Sequence, residues 1–244
     1  IEARKYIPVP VSEVTLDWML VPQQEGQSRP ASHGTKQETG GTEVLLVAIH
    51  NDALNTYQEI VQRTQLDAHF FELEIFSTIR TILEDNTEPA IIFDFGASTT
   101  KLYLVERGVV RSSHTINKGS QDITEAVARA FGVSIKEAEQ MKRGHEVTNK
   151  KIHAQMSNAV SVSLDFIFND TNRFIKNFET KYNKQVERIY LVGGGATLGG
   201  FKALAQGGLE KEVTLGNAFG KIETSAFLES VLRETGPEFT VAVG

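Results

Sequence analysis

Three short stretches carry residues whose types and spacing suit the handling of a phosphorylated ligand. Asp94-Phe95-Gly96-Ala97-Ser98-Thr99-Thr100-Lys101 places an acid at the end of one apolar run, then a turn of Gly and small hydroxyl residues, then a second apolar run. A hairpin of that kind exposes several backbone N–H groups, which together form a cradle for phosphate oxygens. Asp94, at the strand end, is able to hold a water of a bound Mg2+, an ion that keeps several waters of its own. An ordinary hairpin with small turn residues has the same composition. Gly193-Gly194-Gly195-Ala196 follows the apolar run Ile189–Val192. Glycines let the backbone approach a flat ligand, and a helix start beyond them offers free N–H groups; a tight strand-to-helix turn has the same look. Glu139 and Lys142, three apart, share one helix face with Arg143 beside them. An acid there can accept hydrogen bonds from ribose hydroxyls and a basic stem can stack on a base. A solvated salt bridge is the simpler alternative.

These residues need elements to place them. Ala90–Phe95, Lys101–Val105 and Val109–Ile116 read as three strands separated by turns at Gly96–Thr100 and Glu106–Gly108, an antiparallel meander. A helix begins near Ser120, turns Ile123, Val127 and Ala130 to one face and ends at Gly132. Ser134 and Glu137 form a capping box that opens the next helix, which carries Lys142 and Arg143 in its last turn and stops at Gly144. Ile152, Met156, Val160, Leu164 and Phe168 recur every four residues, with Phe174 and Phe178 extending the stripe, and predict a helix of about eight turns. Glu187–Val192 is a strand running into the glycines, followed by another helix and a closing strand near Val213–Leu215.

Ahead of Glu88-Pro89 the chain has a different character. Val14, Leu16, Trp18 and Leu20 alternate as in a strand, residues 22–42 lack Val, Ile, Leu and Phe and read as a mobile loop, and Glu43–Ile49 reads as a buried strand. Asp52 is placed to cap a helix with Leu54, Tyr57 and Val61 on one face. His69–Leu73 reads as a further strand, and Ile75, Ile79, Ile82 and Leu83 as a connecting helix. Residues 1–85 are therefore expected to form a small α+β domain plus connecting helix, and residues 86–244 a larger α/β domain.

Composition narrows the partners. The 244 residues carry a formal charge of −6, with 31 acidic and 25 basic residues, which argues against nucleic acid. There is no cysteine, hence no disulfide framework and no thiolate metal site. The six histidines show no ligand spacing, and no run approaches the roughly 20 apolar residues of a membrane helix.

The order of phosphate hairpin, acid/base helix and Gly-rich loop resembles the second half of the actin, sugar kinase and heat-shock chaperone superfamily. The resemblance implies an α/β fold: an actin-like (ribonuclease H-like) ATPase core with a small inserted α+β domain. It implies ATP and Mg2+ as ligands, with Gly96, Ala97, Ser98, Thr99 and Thr100 as the second phosphate loop. Glu139, Lys142 and Arg143 would touch ribose and adenine, Gly193, Gly194, Gly195 and Ala196 would close on the adenosine, and Asp94 would organise the metal through water.

Within that superfamily the chain is similar, over nearly its whole length, to the PilM family of the bacterial type IV pilus machinery. The similarity is carried by Glu2–Pro10 with Leu16-Asp17-Trp18, by Tyr190–Leu198, by Gly216-Asn217-Ala218-Phe219 and by Val241–Gly244. The divisome relative FtsA inserts a domain at the same place, but it usually has a Gly triplet where this hairpin reads Gly-Ala-Ser. The resemblance implies a cytoplasmic scaffold peripheral to the inner membrane, with a role in pilus biogenesis and twitching motility. Its ATP-dependent conformation would dock the N-terminal tail of the membrane protein PilN, in a groove between inserted domain and core, and couple it to the inner-membrane pilus alignment complex. An FtsA-like division anchor and a small-molecule kinase of the same superfamily are the rival readings; no motif for a sugar or acyl pocket is present. Both ends read as cut, and the superfamily's first phosphate loop does not precede Ile1. The expectation is half of a nucleotide cleft, with weak ATP binding and at most slow ATPase activity.

Overall fold

The computed structural model describes residues 7–21, 44–84, 88–143 and 150–244, with backbone alone over 150–157. The opening residues 1–6, the loop at 22–42, Gly144 and the side chains of Ile152 and Met156 lie outside the described residues. The chain divides into two compact units, Ile1–Phe71 and Glu72–Gly244.

In the first unit, β1 (Val14–Leu20) pairs antiparallel with β2 (Val44–His50), Trp18 facing Leu46 and Leu16 facing Ala48. Helix α1 (Asn51–Thr64) follows without a side-chain cap; Asp52 sits in its first turn, where its charge favours the amino end of the helix. Leu54 and Val61 are half-buried, whereas Tyr57 is exposed. Two expectations change here. β2 is not a buried strand, because a two-stranded ribbon offers little cover, and Val44 and Ala48 are exposed. His69–Leu73 forms no strand, since a strand needs a ladder partner and the sheet beside α1 has two strands among the described residues.

The second unit opens with α2 (Glu74–Ile82), so the connecting helix belongs to the same compact unit as the sheet. The sheet contains β3 (Ala90–Phe95), β4 (Thr100–Glu106), β5 (Val109–Ile116), β6 (Arg188–Val192) and β7 (Glu212–Leu215) in the order β5-β4-β3-β6-β7. The hairpins make β3, β4 and β5 antiparallel, while β6 lies parallel to both β3 and β7. Both faces of β3 are covered, and its alternation shows it: Ile91, Phe93 and Phe95 enter one apolar cluster, Ala90 and Ile92 the other.

The larger cluster is roofed by α3 (Ser120–Phe131), α4 (Ile135–Arg143), α5 (Lys150–Tyr182) and α6 (Phe201–Gly208). Phe95 stacks on Phe201 at 4.7 Å between ring centroids. α3 ends on Gly132 in the left-handed conformation, and Ser134 and Glu137 form the expected capping box, the Ser134 amide donating to Glu137 Oε2 at 3.0 Å. On the other face α2 buries Ile75, Ile79 and Ile82 against Ile92, Tyr190 and Val192. The chain finishes with α7 (Glu229–Thr235), a 3-10 turn at Gly236–Glu238 and α8 (Thr240–Val243).

Candidate functional site

Because β3 and β6 are parallel neighbours, their carboxyl ends, Asp94-Phe95 and Val192-Gly193, open onto one rim of the sheet. That rim is where open α/β sheets hold ligands. The hairpin is tied down by its carbonyls. Gly96 N–H closes the turn on Thr99 O at 3.0 Å, and the carbonyls of Gly96 and Ala97 accept from the amides of Ser120 and Gln121 at 3.0 and 2.8 Å. The approach demands glycine at 119, whose Cβ would lie 2.4 Å from Ala97 O. With those carbonyls turned into α3, the amides of Ala97, Ser98 and Thr99 donate to no backbone carbonyl among the described residues. Thr100 has a framework place: it is fully buried and its hydroxyl donates to Lys118 O at 2.8 Å.

Asp94 lies half-buried on the α2 side of the sheet. Burial pushes its carboxyl above the usual range, the Glu74 carboxylate adds to the rise, and the Lys101 ammonium opposes it. Lys101 is Asp94's ladder partner, but its ammonium is bonded to Glu74 in the first turn of α2. Glu74 and Lys101 were not among the residues expected from the sequence. Lys101 was within reach of that reading, since folding the hairpin about residues 96–99 sets it opposite Asp94.

The acid/base helix is more enclosed than a solvated salt bridge. Glu139 Oε2 accepts from Lys142 Nζ at 2.7 Å and Thr124 Oγ1 at 2.6 Å, and its Oε1 accepts from Arg143 Nε at 2.7 Å. Burial works against ionisation, but these hydrogen bonds hold the carboxyl at about 2. Lys142 is only 6% exposed, and its ammonium also donates to Ser120 O at 3.1 Å and to Thr124 Oγ1 at 2.9 Å. Arg143 is exposed, and the nearby Glu238 carboxylate adds to the rise in its pKa that the Glu139 hydrogen bond chiefly causes.

The Gly-rich loop packs onto the end of β3. Gly193 has φ +85°, its amide donates to Pro237 O at 2.8 Å, and a Cβ there would meet Asp94 Oδ1 at 2.4 Å. A Cβ on Gly195 would meet the Phe95 ring at 2.5 Å, whereas Gly194 has nothing within 4 Å. The stretch Gly194–Thr197, including Ala196, is one 3-10 turn, and α6 starts only at Phe201. Thr197 Oγ1 donates to Glu238 Oε1 at 2.8 Å. Nothing in the spacing of the sequence pointed to Glu238.

One rim therefore gathers the hairpin, Asp94, the Gly-rich loop and, through α3 and Glu238, the acid/base helix. Free amides beside an open glycine fit a phosphorylated ligand. For a metal, the rim offers Asp94, and the described residues contain no group of three or more His, Cys, Asp or Glu side chains placed to hold a metal ion. That set suits an ion such as Mg2+, ligated mainly by phosphate and water, and not an all-protein cage.

Known structures share this architecture. A "PilM-PilN type IV pilus biogenesis complex" matches with a TM-score of 0.77 at 24% identity, covering 99% of this chain and 68% of the other. The ethanolamine utilization protein EutJ from Carboxydothermus hydrogenoformans matches with a TM-score of 0.57 at 18% identity, covering 78% of this chain and 60% of the other. MreB5 of Spiroplasma citri bound to AMPPNP gives a TM-score of 0.50 at 14% identity, over 77% of this chain and 67% of the other. The shared fold is thus the actin-like one, and no described helix is long and apolar enough to cross a membrane. The family model for type IV pilus assembly protein PilM matches residues 1–244, and the chain belongs to that family.

Proposed function

We propose that this protein is an ATP-binding scaffold of type IV pilus assembly, which docks the cytoplasmic N-terminal tail of a PilN-like inner-membrane protein. The observation that carries the nucleotide half is the convergence on one rim of the Ala97–Thr99 amides, Asp94 and the open backbone at Gly194. The partner half is supported by membership of the PilM family and by likeness to a PilM–PilN complex.

In this reading the hairpin amides of Ala97–Thr99 bind phosphate oxygens, and Asp94 would hold a water of bound Mg2+. When bound, Mg2+ would supply charge neutralisation to the phosphates. Gly193–Ala196 lies along the nucleoside, with Glu139 and Arg143 on its ribose and base side. Phosphoryl transfer depends on positioning and charge stabilisation, and Asp94 is the single metal or water organiser in this reading. Turnover is therefore slow at most, and the protein works at the cytoplasmic face of the inner membrane, in the pilus alignment complex, as a nucleotide-dependent scaffold. The tail would be held through a few apolar anchors.

The test is a titration of the full protein, with Mg·ATP present, against two labelled peptides: a PilN-type N-terminal tail and the C-terminal tail of the filament-forming division protein. Binding of the first alone supports the scaffold. Binding of the second alone moves the chain to the divisome, and binding of neither removes the tail-docking reading.

A further inference from the structure

We propose that Lys142 is a positioning residue for the phosphate hairpin, acting through a single peptide group of α3, and not a ligand of the nucleoside. The carbonyl of Ser120 accepts from Lys142 Nζ at 3.1 Å, and the amide of Gln121 donates to Ala97 O at 2.8 Å. Those two atoms belong to the same peptide unit, which is planar and stiff. The lysine and the hairpin therefore hold opposite ends of one rigid plate.

Three features support the assignment. Lys142 is only 6% exposed, and a buried lysine needs its donors filled. They are filled, by Ser120 O, Thr124 Oγ1 and Glu139 Oε2 at 2.7 to 3.1 Å, which turns the ammonium into α3 and leaves no donor for a base or ribose. A cation on the carbonyl also polarises the plate and strengthens its N–H as a donor, since hydrogen bonds in series reinforce one another. The neighbouring Ser120 amide holds Gly96 O at 3.0 Å, so the first turn of α3 grips both carbonyls of the hairpin. With those carbonyls held, the Ala97–Thr99 amides face the ligand side as a fixed set. Glu139 neutralises the buried charge and joins the nucleoside side of the site to the phosphate side.

The ligand arm of the test rests on the nucleotide reading; the exchange arm does not. In the full protein, Lys142→Met is expected to raise amide hydrogen exchange at Ser120 and Gln121 at least tenfold relative to the core amides of Phe93 and Leu191. Mg2+ tripolyphosphate, which lacks a nucleoside, should bind at least tenfold more weakly, while adenosine affinity changes less than threefold. Unchanged relative exchange at Gln121 overturns the proposal, and so does loss of adenosine binding with tripolyphosphate retained. A uniform rise across all amides is a purely structural role and also overturns it. Should Lys142→Met fail to fold, Thr124→Val removes an oxygen partner of the same ammonium and carries the same exchange expectation and the same overturning result. If the unmodified protein binds neither probe, the nucleotide reading fails while the exchange arm still decides the role of Lys142.

Discussion

Lys101 faces Asp94 directly across the β3–β4 hairpin, yet its ammonium is bonded to the Glu74 carboxylate on α2. Asp94 is thereby left with a net penalty for being charged, and burial is its largest source. A carboxyl raised by folding favours its protonated form, so its stabilising contribution exists at low pH and fades as the pH rises through the folded value. At neutral pH the charged Asp94 costs stability. Asp94→Asn is expected to raise the unfolding free energy at pH 7 by about 1 kcal/mol in urea titration. In calorimetry the same variant should weaken Mg·ATP binding at least tenfold. Unchanged binding would remove Asp94 from the site.

Glu139 has the opposite sign. Its folded value of about 2 lies below the ordinary 4.5, so its contribution is present above about 4.5 and disappears as the pH falls towards 2. About a third of the side chain is exposed, and solvent screening limits the effect to on the order of 1 kcal/mol. Thermal melts between pH 2 and 5 should show this acid-labile component in the parent protein and lose it in Glu139→Gln.

The three glycines of the loop should respond unequally. Alanine at 193 or 195 puts a Cβ against Asp94 Oδ1 or the Phe95 ring, and at 193 it also meets a left-handed φ. Each is expected to cost about 2 kcal/mol or more in denaturant unfolding. Gly194→Ala, facing open space, should unfold like the parent; a loss as large as at 193 would contradict the packing account.

At the hairpin between β4 and β5 the Glu106 side chain is 6% exposed, between Arg111 Nε at 3.1 Å and Lys184 Nζ. Glu106→Gln withdraws the anion and leaves two enclosed cations facing an amide. The expected loss is about 3 kcal/mol, larger than for any exposed pair such as Arg233–Glu229, and double-mutant cycles would separate the two cations.

Most of the second unit was legible because its signals are local. β3 and β5 fall at the expected residues, since Gly96 and Gly108 punctuate the apolar runs. The capping box at Ser134 and the stop at Gly132 depend only on neighbours. The errors came where a segment's fate depends on distant cover: Val44–Ile49 is apolar but sits in a ribbon, and His69–Leu73 carries two aromatics but meets no partner strand among the described residues. The site shows the same division. Hairpin and glycines were readable as motifs, whereas Glu74 and Glu238 arrive through chain reversals that no spacing encodes. The burial of Lys142 was not legible, because sequence spacing reports a helix face and not what lies on it.

The reason for the glycines carries a consequence for tracing descent. Gly193 and Gly195 are required by Asp94 and Phe95, which remain whether or not anything binds. A relative that has given up its nucleotide would therefore keep both glycines for as long as the strand beneath them survives. Its record of the loss would be written instead at Gly194, which faces open space, and in the exposed side chains of Ala97 and Ser98. Counting glycines would class such a protein with the ATPases; reading those few unconstrained positions would identify it as a pseudoenzyme.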